Sequence, residues 1–313
     1  MPRQELKRAL GALREELESS EQIGPDDRQA LVQAMQEINE ALDQTDPRDQ
    51  RAAEGSLSGR VSGLIEEFET SHPKFADILR SVSESLLSER GHEVTFATPD
   101  RKPASADPIM VTGKGLGLLK YVLRADANGL AAHAEMIASD AFQNPITYEE
   151  AARGAFDALV LPGGHDKCVK PYLESQTLQQ IATDFMASNK PVGAICHGVL
   201  VLARAQTANG RSVIHGRKVT SLINRLEMTG YHLTRLWMGD YYRTYPEITT
   251  EDEVRTVLAS NADFDTGPGS TSRDSMQAPQ HGFVVRDGNL VTARWPGDAH
   301  TWALQIDEIL GEQ

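Results

Sequence analysis

The chain has 313 residues, 40% of them apolar and 24% charged, a composition typical of a folded globular protein of about two domains. Its 45 acidic residues outnumber 31 basic ones and give a net charge of -14, so neither nucleic acid nor an anionic membrane surface is expected as a partner. The sequence contains no bilayer-length apolar run and no signal-peptide pattern, which predicts a cytoplasmic protein.

Residues 1–90 have the pattern of an all-α module. Apolar residues recur there at steps of three and four, as on one face of an amphipathic helix. The clearest positions are Leu6, Leu10, Leu13, Leu17, Leu31, Met35, Ile38 and Leu42. A polar stretch at 46–59 is followed by a second helical pair that we expect to end at Gly91. We therefore predict two helical hairpins without catalytic chemistry.

After Gly91 the sequence alternates between strand and helix patterns. The predicted elements are strands at 94–99, 156–162 and 191–195, helices at 173–187 and 199–205, a hairpin at 283–292 and a closing helix at 298–310. This β–α–β–α order predicts a parallel sheet covered by helices on both faces. The chain is accordingly divided into a helical module at 1–90 and an α/β domain at 91–313.

Cys196 lies where a buried strand meets a helix, within the sequence Gly-Ala-Ile-Cys-His-Gly at 193–198. A tight strand-to-helix turn forces its central residue into a strained backbone conformation and lifts its side chain off the carboxyl edge of the sheet. The helix start favours an anion, so we expect the Cys196 thiol to ionise readily, with His197 as a base or a cation. The alternative is a buried structural thiol.

Cys168 is the second cysteine, and no helix start or base adjoins it in the sequence, so we interpret it as a bystander. Two cysteines are too few for a disulfide framework and match no paired zinc spacing. No metal site is expected.

The segment at 193–198, preceded by Leu-Pro-Gly-Gly-His at 161–165, resembles the PfpI family within the class I glutamine amidotransferase-like superfamily. Similar segments follow the same order at 91–100, 241–246 and 291–298, so the resemblance covers about 91–313. It implies a flavodoxin-like α/β sandwich, often dimeric, that uses a cysteine with an adjacent histidine and no cofactor.

The resemblance also implies roles for individual residues. Cys196 would be the nucleophile and His197 its partner. The oxyanion and substrate pocket would be lined by the backbone N–H of His197 and by Gly163, Gly164 and His165.

The third catalytic residue is less well defined by the sequence. In one branch of the family an acid follows the nucleophile by some thirty residues, and Asn224 occupies that neighbourhood here. Glu227 is the nearest carboxylate and is the candidate for orienting His197; the alternative is a solvated charge on a helix. Because the C-terminal region lacks a His-x-Glu sequence, ammonia transfer is not expected.

Relatives in this family open with an apolar strand and a glutamate that hydrogen-bonds the nucleophile. The corresponding stretch here, around Leu79, is helical and acidic in pattern. We therefore expect the sheet to lack its usual first strand. Either the strand at 94–99 lies beside the one at 156–162, or a gap separates them. Residues 1–90 resemble a small bacterial helical family of unknown function, so the chain has the organisation of a fusion protein.

The resemblance implies a cofactor-independent cysteine enzyme of a stress response, acting as a homodimer on a small reactive carbonyl or related electrophile. Such an enzyme would be glyoxalase-, deglycase- or hydrolase-like. The alternative is a non-catalytic interaction or chaperone-like protein. In that case the helical module would bind a protein partner, and loss of the first strand and its glutamate would impair the α/β domain.

Overall fold

The computed structural model describes residues 87–112, 127–269, 272–276 and 278–312. The predicted helical module lies outside these residues apart from a final helical turn at 87–89. That turn ends at Gly91, whose φ is +89°. The N–H of His92 donates to the carbonyl of Leu87, and the N–H of Gly91 donates to that of Ser88. This is a glycine-terminated helix end, and the predicted stop at Gly91 is confirmed.

The described residues contain two sheets. A parallel pair consists of β1 (Ala97–Thr98) and β2 (Ile146–Thr147). The four-stranded sheet has the order β3-β4-β6-β5 and consists of β3 (Leu159–Leu161), β4 (Val192–Ile195), β5 (Val284–Asp287) and β6 (Leu290–Ala293). β3, β4 and β6 are parallel, and β5 runs antiparallel to β6.

The helices of the described residues are α1 (Pro108–Thr112), α2 (Ala127–Ala138), α3 (Asp140–Gln143), α4 (Tyr148–Ala151), α5 (Lys170–Leu173), α6 (Gln176–Ala187), α7 (Val199–Arg204), α8 (Asn224–Met238), α9 (Thr250–Val257) and α10 (Ala299–Gly311). Several begin at a serine or threonine whose side chain accepts a backbone N–H, as Ser175 does for α6 and Thr249 for α9. A membrane-crossing helix, long and apolar enough for a bilayer, does not occur in this described part of the chain.

β4 is the centre of the core. Every residue of this strand is buried, as its continuous apolar sequence predicts for a strand covered on both faces. Gly193 faces α10, where a Cβ would clash with Ile306 and lie 3.0 Å from Trp302. The missing side chain therefore lets α10 approach β4 closely. α6 and α7 also pack against this strand.

The predicted strands at 156–162 and 191–195, the hairpin and the closing helix are confirmed, with Gly288 at φ +60° in the hairpin turn. The helix predicted at 173–187 is divided into α5 and α6, because Ser175 caps a new helix start. β2 is an additional strand that was not predicted, since two residues are too few for a strand pattern.

Direct pairing of the strand near 97 with the strand near 160 does not occur among the described residues. β1 pairs with β2, and β3 pairs with β4 alone in this part of the chain. Of the two arrangements expected for a sheet without its first strand, the described residues fit the one with separated strands.

A close contact of Gly198 with the end of β3 gives a stability prediction. A Cβ at this position would clash with the carbonyl oxygen of Leu161 and lie 2.6 Å from that of Pro162. We expect Gly198→Ala to lower the free energy of unfolding in urea by about 1–3 kcal/mol. The matched control is Gly269→Ala, where a Cβ meets nothing within 4 Å, with a change within about 0.5 kcal/mol. Equal stability of the two variants would contradict the contact.

Candidate active site

Cys196 occupies the turn between β4 and a short 3-10 segment, Cys196–Gly198, that leads into α7. Its φ is +58°, a left-handed conformation that costs a residue with a side chain about 1–3 kcal/mol. The preceding residue, Ile195, is extended, and Gly198 is helical. The chain therefore makes the sharp strand-to-helix turn that the sequence predicts, with Cys196 at its apex.

The loop after β3 packs directly on this turn. A Cβ at Gly163 would lie 2.5 Å from the Cβ of Cys196 and 3.2 Å from the backbone nitrogen of His197. β3 and β4 are parallel neighbours, so their carboxyl ends meet at one edge of the sheet. This arrangement brings Gly163, Gly164 and His165 to the turn that carries the sulfur.

Cys196 and His197 form a buried pair. The Sγ of Cys196 lies 3.4 Å from the Nδ1 of His197, and the two residues are 5% and 1% exposed. Burial lowers the pKa of His197 to about 3, with smaller contributions from His165 and the positive charge of Arg204. The imidazole is therefore neutral near pH 7 and can accept a proton.

The other ring nitrogen of His197 contacts a threonine that the sequence did not single out. His197 Nε2 lies 3.1 Å from the Oγ1 of Thr244. That hydroxyl donates to the backbone carbonyl of His165 at 2.6 Å, and Thr244 is 1% exposed. From the sequence, the surrounding stretch at 241–246 is noted only for its resemblance to the family, and no spacing rule links it to His197.

His165 is buried among aromatic rings. Its ring stacks on Tyr242 with centroids 4.6 Å apart and meets the edge of Tyr241 at 5.0 Å. The hydroxyl of Tyr241 donates to the carboxylate of Asp107. Burial, together with Asp107, raises the pKa of Tyr242, so this phenol stays protonated. The two tyrosine rings thus pack around His165 and hold its loop in place.

Glu227 does not make the predicted contact. It lies on α8, but it is 2% exposed, so the alternative of a solvated charge is wrong. Its carboxylate accepts the N–H of Thr250 at 2.9 Å and pairs with Arg243 at 3.2 Å. Within the described residues it makes no hydrogen bond to His197, because α8 turns this side chain toward the start of α9.

Asn224, the other candidate for the third position, also lies elsewhere. Its backbone N–H donates to Glu251 and its side-chain amide to Asp252, which joins α8 to α9. Cys168 is exposed, and the carboxylate of Asp166 raises the pKa of its thiol, which favours the unreactive form and fits the bystander interpretation. The position around Leu79 where the family glutamate would fall lies outside the described residues.

The described stretches hold no cluster of three or more His, Cys, Asp or Glu side chains arranged to bind a metal ion.

A parallel α/β sheet with a cysteine at a strained turn and an adjacent histidine defines the class of α/β proteins with a nucleophile elbow. The family comparison is more specific: a model described as ThiJ/PfpI family-like matches residues 81–261, and the chain belongs to this family. A second model, a domain of unknown function (DUF4404), matches residues 6–88.

Relatives cover most of the chain at low identity. Deglycase TK1284 of Thermococcus kodakarensis is 27% identical over 224 residues, which is 72% of this chain and 86% of that protein. Deglycase PfpI of Pyrococcus furiosus is 25% identical over 76% of this chain and 94% of its own length. The match to protein DJ-1 homolog D of Arabidopsis thaliana is 39% identical but spans 66 residues, 21% of this chain and 16% of the plant protein.

Solved structures show the same fold. The Rapid Encystment Protein of Francisella tularensis aligns with a TM-score of 0.55 and 18% identity, over 77% of this chain and 95% of that one. Glyoxalase III of Candida albicans aligns with a TM-score of 0.52 and 17% identity, over 77% and 93%. The predicted flavodoxin-like α/β fold is confirmed by these similarities.

The burial of Glu227 predicts how stability depends on pH. Desolvation raises the pKa of Glu227 to about 7, against 4.5 for a solvated glutamate, although Thr250 and Arg243 favour the charged form. Between pH 4.5 and about 7, Glu227 is therefore protonated in the folded state and ionised in the unfolded state. The contribution of Glu227 to the free energy of unfolding is fully present below pH 4.5. It is lost as the pH rises to about 7, which lowers the free energy of unfolding by about 3 kcal/mol.

We expect Glu227→Gln to remove this contribution, so that its free energy of unfolding falls less than that of the wild type between pH 5 and 8. Urea denaturation at several pH values measures the difference. Glu247→Gln, at an exposed position in the connection between α8 and α9, should retain the wild-type slope. A Glu227→Gln slope equal to the wild type would contradict the prediction.

Proposed function

We propose that the protein is a cofactor-independent cysteine enzyme that acts on a small reactive carbonyl compound or a related electrophile. The observation that carries this proposal is the placement of Cys196 at φ +58° with its sulfur 3.4 Å from a neutral imidazole nitrogen of His197. Relatives named deglycases and a solved glyoxalase III of the same fold support a carbonyl substrate.

The chemistry follows from this pair. The thiol proton of Cys196 passes to Nδ1 of His197 as the sulfur attacks the carbonyl carbon, and a carbon–sulfur bond forms. The π electrons of the carbonyl move to its oxygen. In this proposal the backbone N–H groups of His197 and Gly164 stabilise that oxyanion. The imidazolium then returns its proton to the oxygen, which gives a neutral hemithioacetal and restores the base.

The buried surroundings determine when the proton moves. A charged imidazolium is unfavourable at this site, as the depressed pKa of His197 shows, so a resting thiolate–imidazolium pair is disfavoured. The positive charge of a protonated His197 is compensated once negative charge develops on the substrate oxygen beside it. Proton transfer and carbon–sulfur bond formation are therefore expected to occur together.

Access to the sulfur favours a small substrate. Cys196 is 5% exposed, and the backbone of Gly163 lies against its Cβ. A compact aldehyde or ketone needs little space at the carbonyl carbon, whereas a folded protein chain could not approach this atom without moving the loop after β3. The proposed substrate is therefore a small-molecule electrophile.

The test compares two cysteine variants in the full chain. We expect Cys196→Ala to abolish the conversion of methylglyoxal, followed as loss of the dicarbonyl and formation of lactate, with an unchanged circular dichroism spectrum. Cys168→Ala removes the exposed thiol and should keep wild-type turnover. Turnover that survives in Cys196→Ala would overturn the proposal. A wild type inactive on methylglyoxal and other small carbonyls would instead favour the non-catalytic interaction protein.

A further inference from the structure

We propose that Thr244 is a positioning residue that fixes which ring nitrogen of His197 carries the proton. This inference rests on the proposed role of His197 as the base. It adds a member to the site that lies 47 positions from His197 along the chain and contacts it through a single hydroxyl group.

The hydroxyl proton of Thr244 lies between two oxygen atoms. A hydroxyl has one hydrogen to donate, and a backbone carbonyl can only accept. Thr244 Oγ1 lies 2.6 Å from the carbonyl oxygen of His165, a distance that requires a hydrogen between the two oxygens. The single proton of Thr244 is therefore committed to His165.

His197 is the other hydrogen-bond partner of the Thr244 hydroxyl. Its Nε2 lies 3.1 Å from the same hydroxyl oxygen, which has only lone pairs left to offer. Nε2 must therefore carry a hydrogen and donate it to Thr244. Since the buried imidazole is neutral, it holds one ring proton, and Nδ1 is left with a lone pair 3.4 Å from the sulfur of Cys196. The base thus faces the nucleophile.

The surroundings hold Thr244 in this position. Arg243 donates from Nη2 to the carbonyl of Pro246 at 3.0 Å, and its guanidinium pairs with Glu227, so the chain on both sides of Thr244 is fixed. His165 is held by its stack on Tyr242. The Thr244 hydroxyl and the carbonyl of His165 that accepts its proton are therefore both held in place.

A hydroxyl at this position differs from a carboxylate in one respect. A carboxylate would both orient the ring and stabilise the imidazolium, whereas Thr244 orients the ring without adding charge. Among the described residues the carboxylate of Glu227 is paired with Arg243 instead. His197 consequently remains a neutral base with a defined tautomer.

The experiment measures the tautomer directly by two-bond 1H–15N NMR of the histidine rings in the full-length protein. His197→Asn identifies the His197 signals by their loss. We expect the Nε2–H form in the wild type and in Thr244→Ser, which keeps the hydroxyl. Thr244→Val has nearly the same volume without the hydroxyl, and we expect the proton to be shared between the two nitrogens or moved to Nδ1.

Turnover provides a second readout. We expect kcat to fall about a hundredfold in Thr244→Val with little change in KM, and Thr244→Ser to stay within about threefold of the wild type. Thr234→Val is the matched control, because Thr234 is also fully buried but donates to Gly230 in its own helix. Thr234→Val should lose about as much stability as Thr244→Val, while the tautomer of His197 stays that of the wild type.

A retained Nε2–H form in Thr244→Val would overturn the inference, as would equal effects of Thr244→Val and Thr234→Val on kcat. If Thr244→Val does not fold, Thr244→Ala tests the same point. The NMR measurement needs no substrate, so a failure of the proposed enzyme activity, shown by turnover in Cys196→Ala, is distinguishable from a failure of this inference.

Discussion

The strained backbone of Cys196 is the constraint on which the candidate site depends. A φ of +58° is unfavourable for a cysteine and persists because the surrounding packing fixes it. Two glycines provide that packing: Gly198 lies against the last carbonyls of β3, and Gly163 lies against the Cβ of Cys196. The same contacts place the loop after β3 beside the sulfur, and this loop supplies the carbonyl of His165 that accepts from Thr244.

The buried and half-buried charged side chains near the site pair with each other and not with His197. Arg243 pairs with Glu227, and Arg204 makes a two-pronged ion pair with Glu253 at 2.7 and 2.9 Å. A buried charge is costly unless it is paired, so these pairs allow four charged side chains to lie close to the core. They also leave His197 without a counter-charge among the described residues, which explains why a neutral hydroxyl group can serve as its partner.

The sequence predicts the local parts of the site well and its long-range contacts poorly. The elbow at Cys196 and the glycine loop at Gly163 follow from short patterns whose physical meaning is contained in a few neighbouring residues. Thr244 reaches His197 from 47 positions away, and the burial of Glu227 depends on how α8 packs against α9. Neither can be read from spacing. The contact of Thr244 depends on how the connection between α8 and α9 folds onto the elbow, and that of Glu227 depends on how the two helices pack together.

The first strand that the sequence predicts to be missing would lie at the edge of the described four-stranded sheet, next to β3. β4 carries Cys196 and has a parallel neighbour on each side, β3 and β6, so its hydrogen bonding is complete within the described residues. The separation between the two sheets lies beyond β3, one strand away from the nucleophile. A first strand would add a neighbour to β3, whereas the conformation of Cys196 is fixed by contacts between the ends of β3 and β4. The elbow and the Cys196–His197 pair can therefore form without that strand.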